Sequence, residues 1–178
     1  MDDSGLSDQI RAAARGDRAA AGAILQRLLP RIRNLVRYLL RGDTDVDDVT
    51  QQSLIAIAKG LSSFRGDAPL ERWADRITAR ETFRFLKRRR LTIAREAPLE
   101  LAEPVAQPAD PYLLRRTIVA ELDALPDAQR QVIALHHAAG FTVPEIADLL
   151  EIPRDTVKSR IRLGMKRLRT AFSREAVS

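Results

Sequence analysis

The sequence predicts an all-α protein of two small helical domains joined by an extended, acidic, proline-rich linker. Three observations carry that prediction. Apolar residues recur at helical spacing along almost the whole chain, and no stretch alternates as a strand would. Most glycines and prolines fall at the edges of these periodic stretches rather than inside them. Finally, the composition shifts over 96–114. That segment holds four of the nine prolines (Pro98, Pro104, Pro108, Pro111) and four acids (Glu96, Glu100, Glu103, Asp110), with no base. Such a segment reads as an extended spacer. It divides the chain into a domain at 1–92, a linker at 93–114 and a domain at 115–178.

Each element follows from local signals. A short helix is expected from about Leu6 to Arg15, ended by Gly16, and another from Asp17 to Leu29. Pro30 is expected to open a further helix to Arg41, because proline is tolerated in a first turn and not in a helix interior. Gly42 closes it. Thr44 with Asp47 three residues on resembles a capping start for a helix to Leu61. Residues 62–68 form a loop, and a long helix covers about 69–90. After the linker, one helix reaches Leu125, Pro126-Asp127 break it, and a second ends near Gly140.

The last two helices form the most specific pattern in the chain. Thr142 with Glu145 is a capping box, and Pro144 sits in the first turn. Ile146, Leu149 and Leu150 make an apolar stripe. The break Glu151-Ile152-Pro153 has the length of a helix-turn-helix turn. The helix from Arg154 to Phe172 places Val157, Ile161, Gly164, Leu168 and Phe172 on one stripe. Its other faces carry Arg154, Lys158, Arg160, Arg162, Lys166, Arg167 and Arg169 against one acid, Asp155. An apolar stripe backed by cations suits a DNA groove.

Composition narrows the function classes. The net charge of +6 and the isoelectric point near 10.4 point to a polyanionic partner. With 45% hydrophobic residues, the 178-residue chain can bury a core. It has no run of 18 apolar residues and opens on the acidic Met1-Asp2-Asp3-Ser4, so neither membrane insertion nor a signal peptide is expected. The absence of cysteine excludes disulfides, cysteine–zinc sites and thiol chemistry. His136 and His137 are neighbours about 100° apart on a helix and cannot grip one metal from one face. The aspartates 43, 45, 47 and 48 lack the glycine and distal glutamate of a calcium loop. With no phosphate loop, nucleophile–base pair or metal set, the chain is expected to be no enzyme and to need no cofactor.

Two further surfaces carry information. The helix 69–90 interleaves Trp73, Phe83 and Phe85 with Arg76, Arg80 and Arg84, and ends in Lys87-Arg88-Arg89-Arg90. Rings beside arginines can stack bases while the cations hold phosphates, although Trp73, Ile77, Phe83 and Leu86 also suit a core. The helix opening at Thr44 presents Asp45, Asp47 and Asp48, then Gln51 and Gln52. That face repels DNA and suits a protein partner.

In this order, these motifs resemble the extracytoplasmic-function (ECF) sigma factors of bacterial RNA polymerase, which keep only region 2 and region 4. The resemblance covers about 6–172. Asp45-Val46-Asp47-Asp48-Val49-Thr50-Gln51-Gln52 is similar to the family's aspartate-rich stretch. The resemblance implies that Asp45, Asp47, Asp48, Gln51 and Gln52 bind the β′ clamp helices of the core enzyme. It further implies that Phe64, Arg65, Gly66, Trp73, Arg76, Arg80, Arg84, Lys87, Arg88, Arg89 and Arg90 capture and melt the −10 element. Leu125-Pro126, Gln129-Arg130, Gly140-Phe141-Thr142, Glu145-Ile146-Ala147 and Thr156-Val157-Lys158-Ser159-Arg160 resemble region 4. There the resemblance assigns −35 contacts to Thr142, Arg154, Thr156, Lys158, Ser159, Arg160, Arg162 and Lys166, and a further polymerase contact to the β flap. The linker corresponds to the segment that threads the polymerase near the RNA path. A cytoplasmic location and an anti-sigma factor that masks these surfaces are also implied. The chain departs from the family at Arg80, where asparagine is common, at Ala74-Asp75, where a leucine–aromatic pair is common, and at Leu163-Gly164-Met165, where arginine–alanine–arginine is usual. The competing reading is a free-standing helix-turn-helix regulator that binds duplex DNA without polymerase. The helices 44–61 and 69–90 argue against it.

Overall fold

The computed structural model describes residues 3–42, 44–95 and 113–175, and every regular element among them is helical. The elements are α1 (Asp3–Ala14), α2 (Arg18–Leu39), α3 (Val46–Gly60), α4 (Leu70–Arg95), α5 (Leu113–Ala124), α6 (Asp127–Ile133), α7 (Val143–Leu150) and α8 (Arg154–Glu175). A 3-10 turn, Leu61–Ser63, follows α3, and a π-helical turn, Ala134–Ala138, continues α6. The expected all-α class is what the structure has. Residues 96–112, most of the expected linker, lie outside the described residues.

The N-terminal helices pack around a stripe on α2. Ile24, Leu28, Ile32 and Val36 meet Val46, Val49 and Ile57 of α3, Leu61, and Leu70 and Ala74 of α4. Asp17 caps α2 by accepting from the backbone N–H of Ala19 at 2.8 Å and of Ala20 at 3.0 Å. One expectation is overturned here. Pro30 does not open a new helix; it lies inside a single helix running from Arg18 to Leu39. An interior proline costs about 3 kcal/mol, but the pyrrolidine faces solvent while buried side chains continue on both sides of it. Burying each such side chain contributes roughly 1.5–3 kcal/mol, so a continuous stripe outweighs one broken turn.

The capping start at Thr44 is also corrected. The N-cap of α3 is Asp45, and its side chain makes no cap bond. Asp45 accepts from Arg89 at 2.7 Å instead, and Asp47 from Arg33 at 3.0 Å. Charged partners on α4 and α2 outcompete the local backbone donors, because a charge-assisted bond is the stronger one. Helix α4 also runs beyond the expected end at 90 to Arg95, since Lys, Arg and Leu are good helix formers and the first following proline is Pro98.

The C-terminal helices close over a second core that recruits residues from the first domain. Val132, Ala134, Leu135, Ala139, Phe141, Ile146, Ala147 and Val157 cluster with Leu35 and Leu39 of α2 and Ala79 of α4. Phe83 packs against the same cluster, so the aromatic of α4 that suited a core belongs to one. Helix α8 lies along α6 with no side chain at Gly164. A Cβ built there would stand 2.5 Å from Cδ1 of Ile133 and 3.2 Å from Cβ of Gln129. An alanine at this position would collide with α6.

Candidate polymerase and nucleic-acid surfaces

The helix-turn-helix is built as its sequence signals require. The Thr142 hydroxyl accepts from the Glu145 backbone N–H at 3.4 Å, and the Thr142 backbone N–H donates to the Glu145 carboxylate at 2.8 Å. Both halves of the capping box are therefore present. The N–H of Thr142 is the chief reason the Glu145 carboxyl is held below the usual glutamate range. The turn is made by Glu151 in the left-handed region (φ 54°), an unusual conformation for a residue with a side chain. Its N–H closes on the Ala147 carbonyl, and that of Ile152 reaches the same oxygen at 3.1 Å. Buried Ile146, Ala147 and Val157 then lock α7 onto α8.

This packing decides which cations of α8 are available. Arg154, Lys158, Arg162 and Lys166 are all exposed and recur every four residues, so they form one row facing solvent. Thr142 is exposed as well, whereas Thr156, Ser159 and Arg160 are half-buried. Ser159 donates to the Thr156 carbonyl at 2.9 Å. Lys158 pairs with Asp155 at 3.2 Å, a bond between exposed groups that competes little with a phosphate.

The acidic stretch and the basic run, separate in sequence, meet in space. Arg89 of α4 pairs with Asp45, and Arg88 donates to Gln52 at 3.3 Å. Asp47 is held by Arg33, while Asp48 and Gln51 stand exposed on the outer face of α3. Upstream on α4, Trp73 packs 5.1 Å from Phe64 with the rings tilted by 58°. Gly60 admits the indole, because a Cβ there would lie 3.0 Å from the ring. Both rings are half-buried against the first core, and in the loop 62–68 Arg65 and Gly66 (φ 79°) are exposed. Arg80, Arg84, Lys87, Arg88, Arg89 and Arg90 of α4 are all exposed. Arg84 pairs with Glu81 at 2.6 Å.

Several pairings that matter here were not legible in the sequence. Asp75, 1% exposed, accepts from Arg31 Nε at 2.9 Å and Nη2 at 2.6 Å. Burial pushes its carboxyl above the usual range, and the Arg31 guanidinium pulls against that. Arg76 pairs with Glu145 of the helix-turn-helix, and Arg72 donates to the Gly140 carbonyl. Glu145 was legible only as a capping residue; nothing local announces its partners on α4. The histidine pair lies in the π-helical turn after α6, where His136 Nδ1 is 2.9 Å from the Phe141 carbonyl oxygen. Among the described residues no three His, Asp or Glu side chains gather as a metal site would require, and no helix is long and apolar enough to cross a membrane.

Comparison with known proteins identifies two regions of the chain. Residues 24–92 match the family model for sigma-70 region 2, and residues 115–168 match that for sigma-70 region 4. The ECF RNA polymerase sigma-E factor of Salmonella typhimurium is 30% identical over 172 residues, covering 88% of this chain and 89% of that protein. The ECF RNA polymerase sigma factor SigM of Mycobacterium tuberculosis is 29% identical over 153 residues, covering 86% and 77%. Among solved structures, the fold matches the sigma factor RpoE of Bartonella quintana, crystallised with the anti-sigma factor NepR. That match has a TM-score of 0.67 and 23% identity, and covers 85% of this chain and 96% of that one. CnrH in complex with the cytosolic domain of CnrY matches at a TM-score of 0.55 and 26% identity, over 93% and 95%. The two region matches fall on the two helical groups, with the acidic α3 and aromatic–basic α4 in the first and the helix-turn-helix in the second. The chain belongs to the ECF family of RNA polymerase sigma factors.

Proposed function

We propose that this sigma factor works as a two-point promoter reader docked on core polymerase through α3. Asp48 and Gln51, exposed and flanked by the paired Asp45, Asp47 and Gln52, are the contact to the β′ clamp helices. Phe64, Trp73 and the exposed arginines of α4 hold the −10 strand, with Arg65 and Gly66 shaping the loop that takes a base out of the stack. The row Arg154, Lys158, Arg162 and Lys166, with Thr142, Thr156, Ser159 and Arg160 beside it, enters the major groove at the −35 element. The single observation that carries this reading is that solvent-facing row of four cations on a helix whose opposite face is locked into the core.

The chain contributes binding energy only; the polymerase supplies the catalysis. Region 4 adds a contact to the β flap, and the protein acts in the cytoplasm, where its partners are. An anti-sigma factor fits the relatives, since RpoE of Bartonella quintana was solved with the anti-sigma factor NepR.

In vitro transcription with core polymerase on genomic DNA, with mapping of 5′ ends, tests the proposal. Promoter-specific start sites sharing −35 and −10 sequences are expected. Duplex binding at a palindrome without any polymerase-dependent initiation would favour the free-standing regulator instead.

A further inference from the structure

We propose that Leu163 selects a thymine in the −35 element, by packing on the C5-methyl group that this base presents in the major groove. This inference rests on the two-point reading above and adds a base-selecting residue to it. Leu163 is 47% exposed, more than any other large apolar side chain described in the C-terminal helices. At about 100° per residue, it stands roughly 100–160° around α8 from Val157, Ile161, Gly164 and Leu168, the residues that face the core. Ser159, one turn earlier, and Lys166, one turn later, lie within about 40–60° of it. Arg162 and Lys166 fall to one side of the leucine and Arg167 to the other, so it sits inside the cationic surface. The packing of α8 holds it there. Gly164, the next residue, is pressed onto α6, where a Cβ would lie 2.5 Å from Ile133 Cδ1. Arg167 donates to Gln129 at 3.2 Å and is drawn toward α6. Arg162 and Lys166 are exposed and have no acidic partner among the described residues.

A single exposed leucine on a protein surface needs no ligand. The setting of this one gives it a role. Free cations beside it hold phosphates, and whatever lies between them is pressed against the groove and loses its water. Leucine has no donor or acceptor in its side chain, so it can neither hold a phosphate nor pair with a polar base edge. Among the groups that distinguish the four base pairs in the major groove, the thymine methyl is the apolar one. The others are ring nitrogens, carbonyl oxygens and amino groups, which would be desolvated against Leu163 without a partner. The side chain therefore favours thymine in two ways, by burying a methyl and by penalising polar edges. Leu163 lies about 14 Å along α8 from Arg154, so its base differs from the one met by the first turn.

Base analogues test this on the holoenzyme, the full chain with core polymerase, at a promoter mapped as above. Each thymine of the −35 element, on either strand, is replaced in turn by deoxyuridine, which pairs identically and lacks only the methyl. At one position the wild type should lose about three- to fivefold in affinity, the worth of one buried methyl group at tenfold per 1.4 kcal/mol. Leu163→Ala should bind the thymine and deoxyuridine promoters alike. Leu163→Arg should also lose the discrimination, and should steepen the slope of log affinity against log salt by about one through a new phosphate contact. Because Leu163 is exposed, both variants should keep the wild-type circular dichroism, which separates a lost contact from a lost fold. A −35 element without thymine, or a wild type indifferent to every thymine methyl, would overturn the assignment. So would Leu163→Ala binding more weakly yet still preferring the methyl, which would put Leu163 against polymerase instead of DNA. Failure of the two-point reading gives a different result: the holoenzyme then initiates at no specific promoter, and the leucine assignment falls with it.

Discussion

Gly164 is where packing most directly contradicts local propensity. Alanine is about 1 kcal/mol better than glycine in a helix interior. At Gly22 of α2 a Cβ meets nothing within 4 Å, so Gly22→Ala should stabilise by about 1 kcal/mol. At Gly164 the same Cβ stands 2.5 Å from Ile133 Cδ1, 3.5 Å from its Cγ1 and 3.2 Å from Gln129 Cβ. Ile133 is only 5% exposed and has little room to turn away, and Gln129 Cβ is fixed to the backbone of α6. Overpacking of this kind costs about 1–3 kcal/mol, so Gly164→Ala should be net neutral to about 2 kcal/mol destabilising. For a chain of this size each kcal/mol moves the midpoint by about 2–4 °C. Thermal unfolding by circular dichroism should therefore show the two glycine variants moving apart. Ile133→Val removes the clashing carbon at a cost of about 0.5–1.5 kcal/mol alone, and less in the Gly164→Ala background. The double-mutant cycle should give a favourable coupling of about 1 kcal/mol. If Gly164→Ala stabilises as much as Gly22→Ala, or the cycle shows no coupling, α8 does not lie on α6 as described.

Further outcomes follow from the same contacts. Lys158→Ala should lower −35 affinity across sequences and reduce the slope of log affinity against log salt by about one. An unchanged slope in a salt titration would remove Lys158 from the phosphate contacts. Asp48→Arg, on an exposed face without a partner to lose, should weaken core polymerase binding about tenfold or more while the helical content is kept; equal affinity by titration would dismiss the clamp contact. Pro30→Ala should stabilise by about 1–3 kcal/mol, since the fold already tolerates the missing bond; a lower midpoint would refute that. For Glu145 the folded carboxyl is held low, chiefly by the Thr142 N–H. Its stabilising contribution is therefore full above the ordinary glutamate range, about pH 4 to 5, and is lost as the pH falls through the lower folded value. Glu145→Gln should flatten that acid limb of the midpoint-versus-pH curve, and an identical limb would argue that the bond is not formed.

Much of the helix-turn-helix was legible because its signals are local. Thr142, Pro144, Glu145 and the stripe Val157, Ile161, Gly164, Leu168 act within a few residues of themselves. The same is true of the helical class. The sequence misled at Pro30 and Thr44 for one physical reason: in both places a tertiary term outweighed the local one. A continuous buried stripe carried α2 through its proline, and Arg33 and Arg89 drew Asp47 and Asp45 away from capping. Asp75 and Arg31 were invisible as a pair because 44 residues separate them.

By itself, then, the sequence determined the all-α class, the acidic and basic surfaces, and the two regions through which the chain belongs to its family. Periodicity, capping and charge are read over a few residues and depend little on what packs opposite. Only the tertiary structure decided which arginines are occupied, why residue 164 has no side chain, and that α2 and α4 share a core with the helix-turn-helix. Those outcomes depend on contacts between residues far apart in the chain, such as Gly164 with Ile133, Arg76 with Glu145 and Arg37 with Asp123. Spacing within any one helix carries no trace of them.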